Sequence, residues 1–202
     1  MNRRLLVILA LVLAAVAVAA GLMLNRLPAK SEAPGLVGGP FHLVDQDGKA
    51  VDEGILKGKW SAVFFGFTYC PDACPTTLTG LKQTQDLLGP RAKDFQTVFV
   101  SLDPARDTPV QMKSYLSNDA FPKGSLGLTG TQAQTDAAAK VYRVYHQKNG
   151  EGADYLVDHS VVTYLMSPKG RFVCALPAGL TPDQTADRIG KAMRDGPNAE
   201  NC

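Results

Sequence analysis

The sequence predicts an α/β fold, a mixed sheet flanked by helices. Three observations carry this. Residues 60–67 and 95–102 are near-continuous apolar runs rich in aromatic and β-branched residues, the mark of strands buried on both faces. Each is followed by a segment of helical length. The last third then reads as a hairpin and one final helix. Strands buried on both faces need helical cover on both, so the layers are helix, sheet, helix.

The chain has 202 residues, enough for one domain and an accessory segment. Residues 5–24 form an unbroken apolar run, and a helix needs about 20 residues to cross a bilayer. Arg3 and Arg4 precede it, which favours a cytoplasmic N-terminus. Residues 1–27 are therefore expected to be a transmembrane anchor. A cleaved signal peptide ending near Ala17-Val18-Ala19-Ala20 is the rival reading. Both place the body outside the cytoplasm, in a periplasm facing a bacterial inner membrane, where disulfides persist. Residues 28–40, rich in Pro, Gly and Ala, form a flexible linker. The globular domain spans 41–195, and 196–202 are a C-terminal tail.

Three of the 21 basic residues and none of the 19 acidic ones fall in residues 1–26, so the remainder is close to neutral. That body has no electrostatic footprint for nucleic acid.

Within the domain, residues 41–44 and 47–51 predict a hairpin turning at Asp47-Gly48. After the strand at 60–67, Pro75 suits the first turn of a helix reaching Leu88, with Leu78, Leu81 and Leu88 facing inward and Gly89-Pro90 ending it. The strand at 95–102 leads through a loop, residues 103–109, into a helix at 110–117. A short strand at 127–129 and an Ala-rich helix at 131–141 follow. Residues 142–146 and 154–156 predict a second hairpin around Asn149-Gly150. Residues 161–166 and 172–176 predict a third, across Ser167-Pro168-Lys169-Gly170. Thr181 is the expected N-cap of the last helix, with Pro182 at its first position. This order is that of a thioredoxin-like domain.

Chemistry concentrates at Cys70-Pro71-Asp72-Ala73-Cys74, where a buried strand gives way to a helix. Positions i and i+4 share a helix face, and a helix N-terminus favours thiolate. Such a pair can bridge, carry electrons or clamp a soft metal. Thioredoxin-type redox pairs have two intervening residues, whereas this one has three. His159 follows a loop and precedes a strand, and neutral imidazole suits copper and zinc. Asp158 or a backbone carbonyl would fix its tautomer. His42 and His146 read as structural. Phe64, Phe65 and Phe67 read as core, and Tyr69 as a shield for a metal. Arg106 and Asp107 read either as a solvated pair or as the mouth of the site. Cys174 and Cys202 either bridge or remain a buried thiol and a free terminal one.

Three motifs carry a resemblance: residues 66–75 around the cysteines, Ser101-Leu102-Asp103-Pro104-Ala105-Arg106-Asp107-Thr108-Pro109, and Asp158-His159-Ser160 before a strand. Over residues 38–195 the chain resembles the Sco/SenC family of thioredoxin-fold copper proteins, which help assemble the copper centre of cytochrome c oxidase. The resemblance implies that Cys70, Cys74 and His159 are metal ligands and places Asp103 in the family's acidic loop. It implies a copper cargo, as Cu(I) with Cu(II) as the second candidate state. The residue chemistry agrees: two thiolates and one imidazole suit Cu(I), structural zinc would need a fourth ligand, and a blue-copper site would invert the sulfur-to-nitrogen ratio. The partners it implies are the copper-bearing oxidase subunit, a copper donor protein and a thiol reductant protein. The expected function is copper delivery, or preparation of the oxidase thiols, rather than turnover. The alternative is a thiol–disulfide oxidoreductase using Cys70 and Cys74 as its redox-active pair.

Overall fold

The structure, a computed structural model, describes residues 11–13 and 37–197. The expected anchor lies outside the described residues except for 11–13, which are helical, and the linker is described only from residue 37. Among the described residues no helix is long and apolar enough to cross a membrane.

The domain runs β1 (His42–Asp45), β2 (Ala50–Asp52), β3 (Trp60–Gly66), α1 (Ala73–Leu87), β4 (Phe95–Ser101), α2 (Pro109–Leu116), β5 (Leu126–Thr129), α3 (Gln132–Val141), β6 (His146–Asn149), β7 (Leu156–His159), β8 (Val162–Met166), β9 (Phe172–Pro177) and α4 (Pro182–Asp195). Among the described residues seven strands form one mixed sheet in the order β2-β1-β5-β4-β3-β8-β9. The centre is parallel: β3 pairs β4 from Trp60↔Phe95 to Gly66↔Ser101, and β4 pairs β5. The flanks are antiparallel, through β1 against β5 and β8 against β3.

All seven residues of β3 are buried, as its unbroken apolar run requires of a strand covered on both faces. One core cluster gathers Val63, Phe65, Met112, Ala138 and Tyr142 under α2 and α3. The other gathers Trp60, Ala62, Leu81, Ile189 and Ala192 under α1 and α4. Burying each large apolar side chain contributes about 1.5–3 kcal/mol. The mixed sheet flanked by helices agrees with the sequence. Thr181 caps α4 in a capping box with Gln184, with Pro182 at the first turn, as expected.

The second hairpin differs from expectation. Residues 142–145 are not strand. Tyr142 closes α3, its N–H bonding back to Ala138, and Val144 N–H bonds to the Ala139 carbonyl at 2.9 Å. Arg143 takes a left-handed φ of 57°. These helix-closing bonds consume backbone donors that a strand would need, so pairing starts only at His146. The ribbon β6–β7 runs from His146↔His159 to Asn149↔Leu156 and stands apart from the main sheet. His159 is therefore the last residue of a ribbon strand rather than part of a loop.

Cys70 and Cys74 are free thiols. Cys174, in β9, is disulfide-bonded rather than a free buried thiol; Cys202, the partner in one of the two sequence readings, lies outside the described residues.

Candidate metal centre

Parallel β3 and β4 end side by side, and open α/β sheets place their sites at the carboxyl ends of strands. Leu102 N–H bonds to the Gly66 carbonyl at 2.8 Å, so the two strands leave the sheet together. From Gly66 the chain turns through Thr68 and Tyr69, and Cys70 N–H closes on the Phe67 carbonyl.

The first turn of α1 has no side-chain cap from Asp72. The Cys70 sulfur takes that role, accepting from Cys74 N–H at 3.4 Å. Pro75, lacking an N–H, needs no acceptor. Hydrogen bonding lowers Cys70 to about 5, the Cys74 thiol contributing most, with burial working against it and the backbone N–H groups of Cys74 and Asp72 adding to the drop. Cys74 moves the other way. The shared hydrogen bond with Cys70, then burial, push its thiol well above the ordinary 9.0. The pair thus loses its first proton at Cys70 and keeps the second on Cys74.

Cys74 is fully buried against β3. A Cβ on Gly66 would lie 2.6 Å from its sulfur and 2.9 Å from the Phe99 ring, so only glycine leaves the notch that Cys74 fills.

His159 arrives from the ribbon. Its Nε2 lies 3.8 Å from Cys74 Sγ, and Nδ1 lies 3.1 Å from the Ser160 carbonyl. A proton on Nδ1 satisfies that carbonyl and leaves the Nε2 lone pair facing the sulfurs. Phe64 and Phe67 meet the imidazole edge-on, at centroid distances of 6.3 and 6.0 Å. The donor atoms of Cys70, Cys74 and His159 all lie within 4.8 Å of one another. Two soft sulfurs and one imidazole nitrogen around one point are a donor set that fits a soft or borderline cation.

The acidic loop is built differently from its sequence reading. Arg106 does not pair with Asp107; its Nε donates to Asp103 at 2.5 Å. Asp107 is fully buried and accepts from Thr68 N–H, from Thr68 Oγ1 at 2.7 Å and from Ser101 Oγ at 2.7 Å. Burial dominates its carboxyl and raises it above 3.8, against the pull of those hydrogen bonds. A solvated pair is excluded; Asp107 instead pins the turn that presents Cys70. Asp103 is buried too, taking Arg106 on one oxygen and the Tyr155 hydroxyl on the other. Tyr69 is half exposed and lies under the Arg106 guanidinium. Phe64, Phe65 and Phe67 are core, as expected. His42 and His146 stand outside the donor cluster. Tyr155 escaped the sequence reading, because its partner Asp103 is 52 residues away.

A family model described as SCO1/SenC matches residues 29–194. The chain is 42% identical over 160 residues to Protein SCO1 homolog 1, mitochondrial, of Arabidopsis thaliana, covering 78% of this chain and 47% of that protein. It is also 42% identical over 155 residues to Protein SenC of Rhodobacter capsulatus, covering 76% of this chain and 69% of the relative. The chain thus spans between about half and two thirds of the length of these relatives. Among solved structures, A. thaliana ScoI with copper bound is similar at a TM-score of 0.74 and 42% identity, over 79% of this chain and 99% of that one. BsSco, a member of the Sco family of cytochrome c oxidase assembly proteins in which a disulfide switch was identified, is similar at a TM-score of 0.63 and 28% identity, over 80% of this chain and 95% of its own.

Proposed function

The chain belongs to the SCO1/SenC family, and from that premise we propose that it is a copper chaperone acting in cytochrome c oxidase assembly, with copper as cargo rather than cofactor. One observation carries the reading: donors far apart in sequence, Cys70 and Cys74 at one place and His159 at another, meet within 4.8 Å. Cys70 offers a thiolate at neutral pH, since its thiol titrates near 5. Cys74 gives up its proton when a cation replaces it, so loading at neutral pH releases one thiol proton. His159 supplies a neutral nitrogen from Nε2. Three donors leave a side for an incoming ligand of the acceptor, the copper-bearing oxidase subunit. Copper-bound relatives and the family's oxidase role support this reading. The apolar run at residues 5–24 supports a chain held at a bacterial inner membrane with the domain in the periplasm. A copper donor protein and a thiol reductant protein complete the set of partners.

Titration of the full chain with Cu(I), kept reduced, tests this. One copper per chain is expected. Cys70→Ala and Cys74→Ala should each abolish tight binding and His159→Ala should weaken it, whereas unchanged affinity in Cys74→Ala would sink the proposal.

A second reading has its own support. A partly buried low-pKa thiol backed by a fully buried one is the arrangement of a disulfide exchanger. Cys70 thiolate would attack a partner disulfide, expelling one partner thiolate. Cys74, passing its proton to the expelled thiolate, would then attack the Cys70 sulfur and release the second partner thiolate. The partner gains two electrons and the chain keeps the Cys70–Cys74 disulfide, which the thiol reductant reopens. His159→Ala separates the readings: a chaperone loses copper affinity, while an exchanger keeps most of its reductase rate.

A further inference from the structure

His159 is delivered by a ribbon that shares no ladder with the main sheet, so something else must fix its distance to the cysteines. At its base, Ser160 N–H donates to the Tyr145 carbonyl and Tyr145 N–H to Ser160 Oγ. His146 Nε2 meets the exposed Asp136 carboxylate of α3 at 2.9 Å. The far end is held more firmly. Arg106, from the loop after β4, donates Nη1 to the Ala153 carbonyl at 3.0 Å and Nη2 to the Tyr155 carbonyl at 2.9 Å. Its Nε goes to Asp103. The guanidinium carbon lies 3.7 Å from the Tyr155 ring centroid and 4.7 Å from that of Tyr69, next to Cys70. The Tyr155 hydroxyl donates to the other Asp103 oxygen at 2.5 Å. Asp103 is itself seated on β4, its N–H bonded to Ser101 Oγ at 2.9 Å.

We propose that Arg106 is a positioning residue: it clasps the ribbon tip to the Asp103 loop and to Tyr69, and so sets His159 over Cys70 and Cys74. The inference rests on the copper reading of the site. The lever is short and stiff, since Tyr155 and His159 are four residues apart on one extended segment, about 13 Å at strand rise. The chemistry requires arginine. A planar fork satisfies a carboxylate and two carbonyls at once while stacking on rings, whereas a lysine ammonium is a single point charge. Lys148, 3.8 Å from the Tyr155 ring centroid, cannot replace it, because it rides on the ribbon itself.

The test uses the full chain with Arg106→Ala, Arg106→Lys, Tyr155→Phe, His159→Ala and the Arg106→Ala/His159→Ala double variant. Amide hydrogen exchange of residues 156–159 is measured on reduced, metal-free protein. Copper affinity and the nitrogen coupling in the spectrum of the Cu(II) form are measured on loaded protein. Removing a partner that orients a metal-bound histidine typically costs 10- to 100-fold in affinity, and about that loss is expected of Arg106→Ala. Faster exchange, a weakened nitrogen coupling, no rescue by lysine, and a double variant no weaker than His159→Ala alone would support the clasp. Additive losses in the double variant, or unchanged exchange, would overturn it. If Arg106→Ala fails to fold, Tyr155→Phe decides by the same readouts: a smaller shift in the same direction supports the clasp and no shift overturns it. A wild-type chain that takes no copper would sink the chaperone reading, while hydrogen exchange would still decide the clasp.

Discussion

Cys70 and Cys74 sit where a strand with all seven residues buried meets its helix, whereas His159 ends a four-residue strand in which only Val157 is buried. The first region is held by the hydrophobic core: Phe64, Phe99 and Gly66 shape the space around Cys74, and buried Asp107 pins the preceding turn. The second is held by a handful of polar and ring contacts, chiefly those of Arg106 and Tyr155. The comparison teaches that the site has a fixed half and an adjustable half. Disturbing the first should cost fold and function together. Disturbing the second should cost function while sparing the fold.

The largest effect should follow Asp107→Ala, which leaves the Thr68 and Ser101 donors without their acceptor. Buried Ser101 and partly buried Thr68 losing their acceptor should destabilise by about 3 kcal/mol, read as the denaturant midpoint, and Cys70 should lose its depressed pKa as the turn loosens. Gly66→Val comes next. Its Cβ would collide with Cys74 sulfur and Phe99, and overpacking typically costs about 1–3 kcal/mol. Copper affinity should fall with stability in this variant; intact affinity would show that Cys74 can retreat from the notch. His159→Ala should be gentler on the fold, about 1 kcal/mol from two lost edge-on ring contacts, yet more harmful to copper affinity than to stability.

The last test is the pH dependence of the reduced, metal-free chain. Cys70 falls from 9.0 to about 5 on folding, so between those values the unfolded chain binds one more proton than the folded one. Stability therefore rises with pH across that window and is lost as pH falls through about 5. Above 9.0 the sign reverses, because the unfolded chain ionises Cys74 while the fold keeps it protonated. Exposure of Cys70 softens the first slope. Denaturation midpoints across the range check it, and a profile flat from pH 5 to 9 would contradict the depressed Cys70 thiol.

The same division explains what the sequence made legible. The β3–α1 corner could be read directly, since an apolar run, two cysteines four positions apart and Pro75 are all local signals. His159 was found through its motif, but the strand that carries it was misplaced. Tyr142, Val144 and Tyr145 look like strand residues by type, yet the close of α3 takes the backbone bonds of residues 142–144. The Arg106 contacts to Ala153 and Tyr155 join residues 47 and 49 positions apart. No local pattern encodes such a contact. Asp107, next to an arginine, read either as half of a solvated pair or as part of the mouth of the site, because its partner Thr68 lies 39 residues away.

The unequal depth of the two sulfurs bears on the order in which the donors would let go. Cys74 is fully buried and Cys70 only partly so. On the copper reading proposed above, an acceptor approaching from solvent would meet Cys70 before Cys74. Cargo would enter and leave by the same door, with the inner sulfur holding it until the acceptor has a grip.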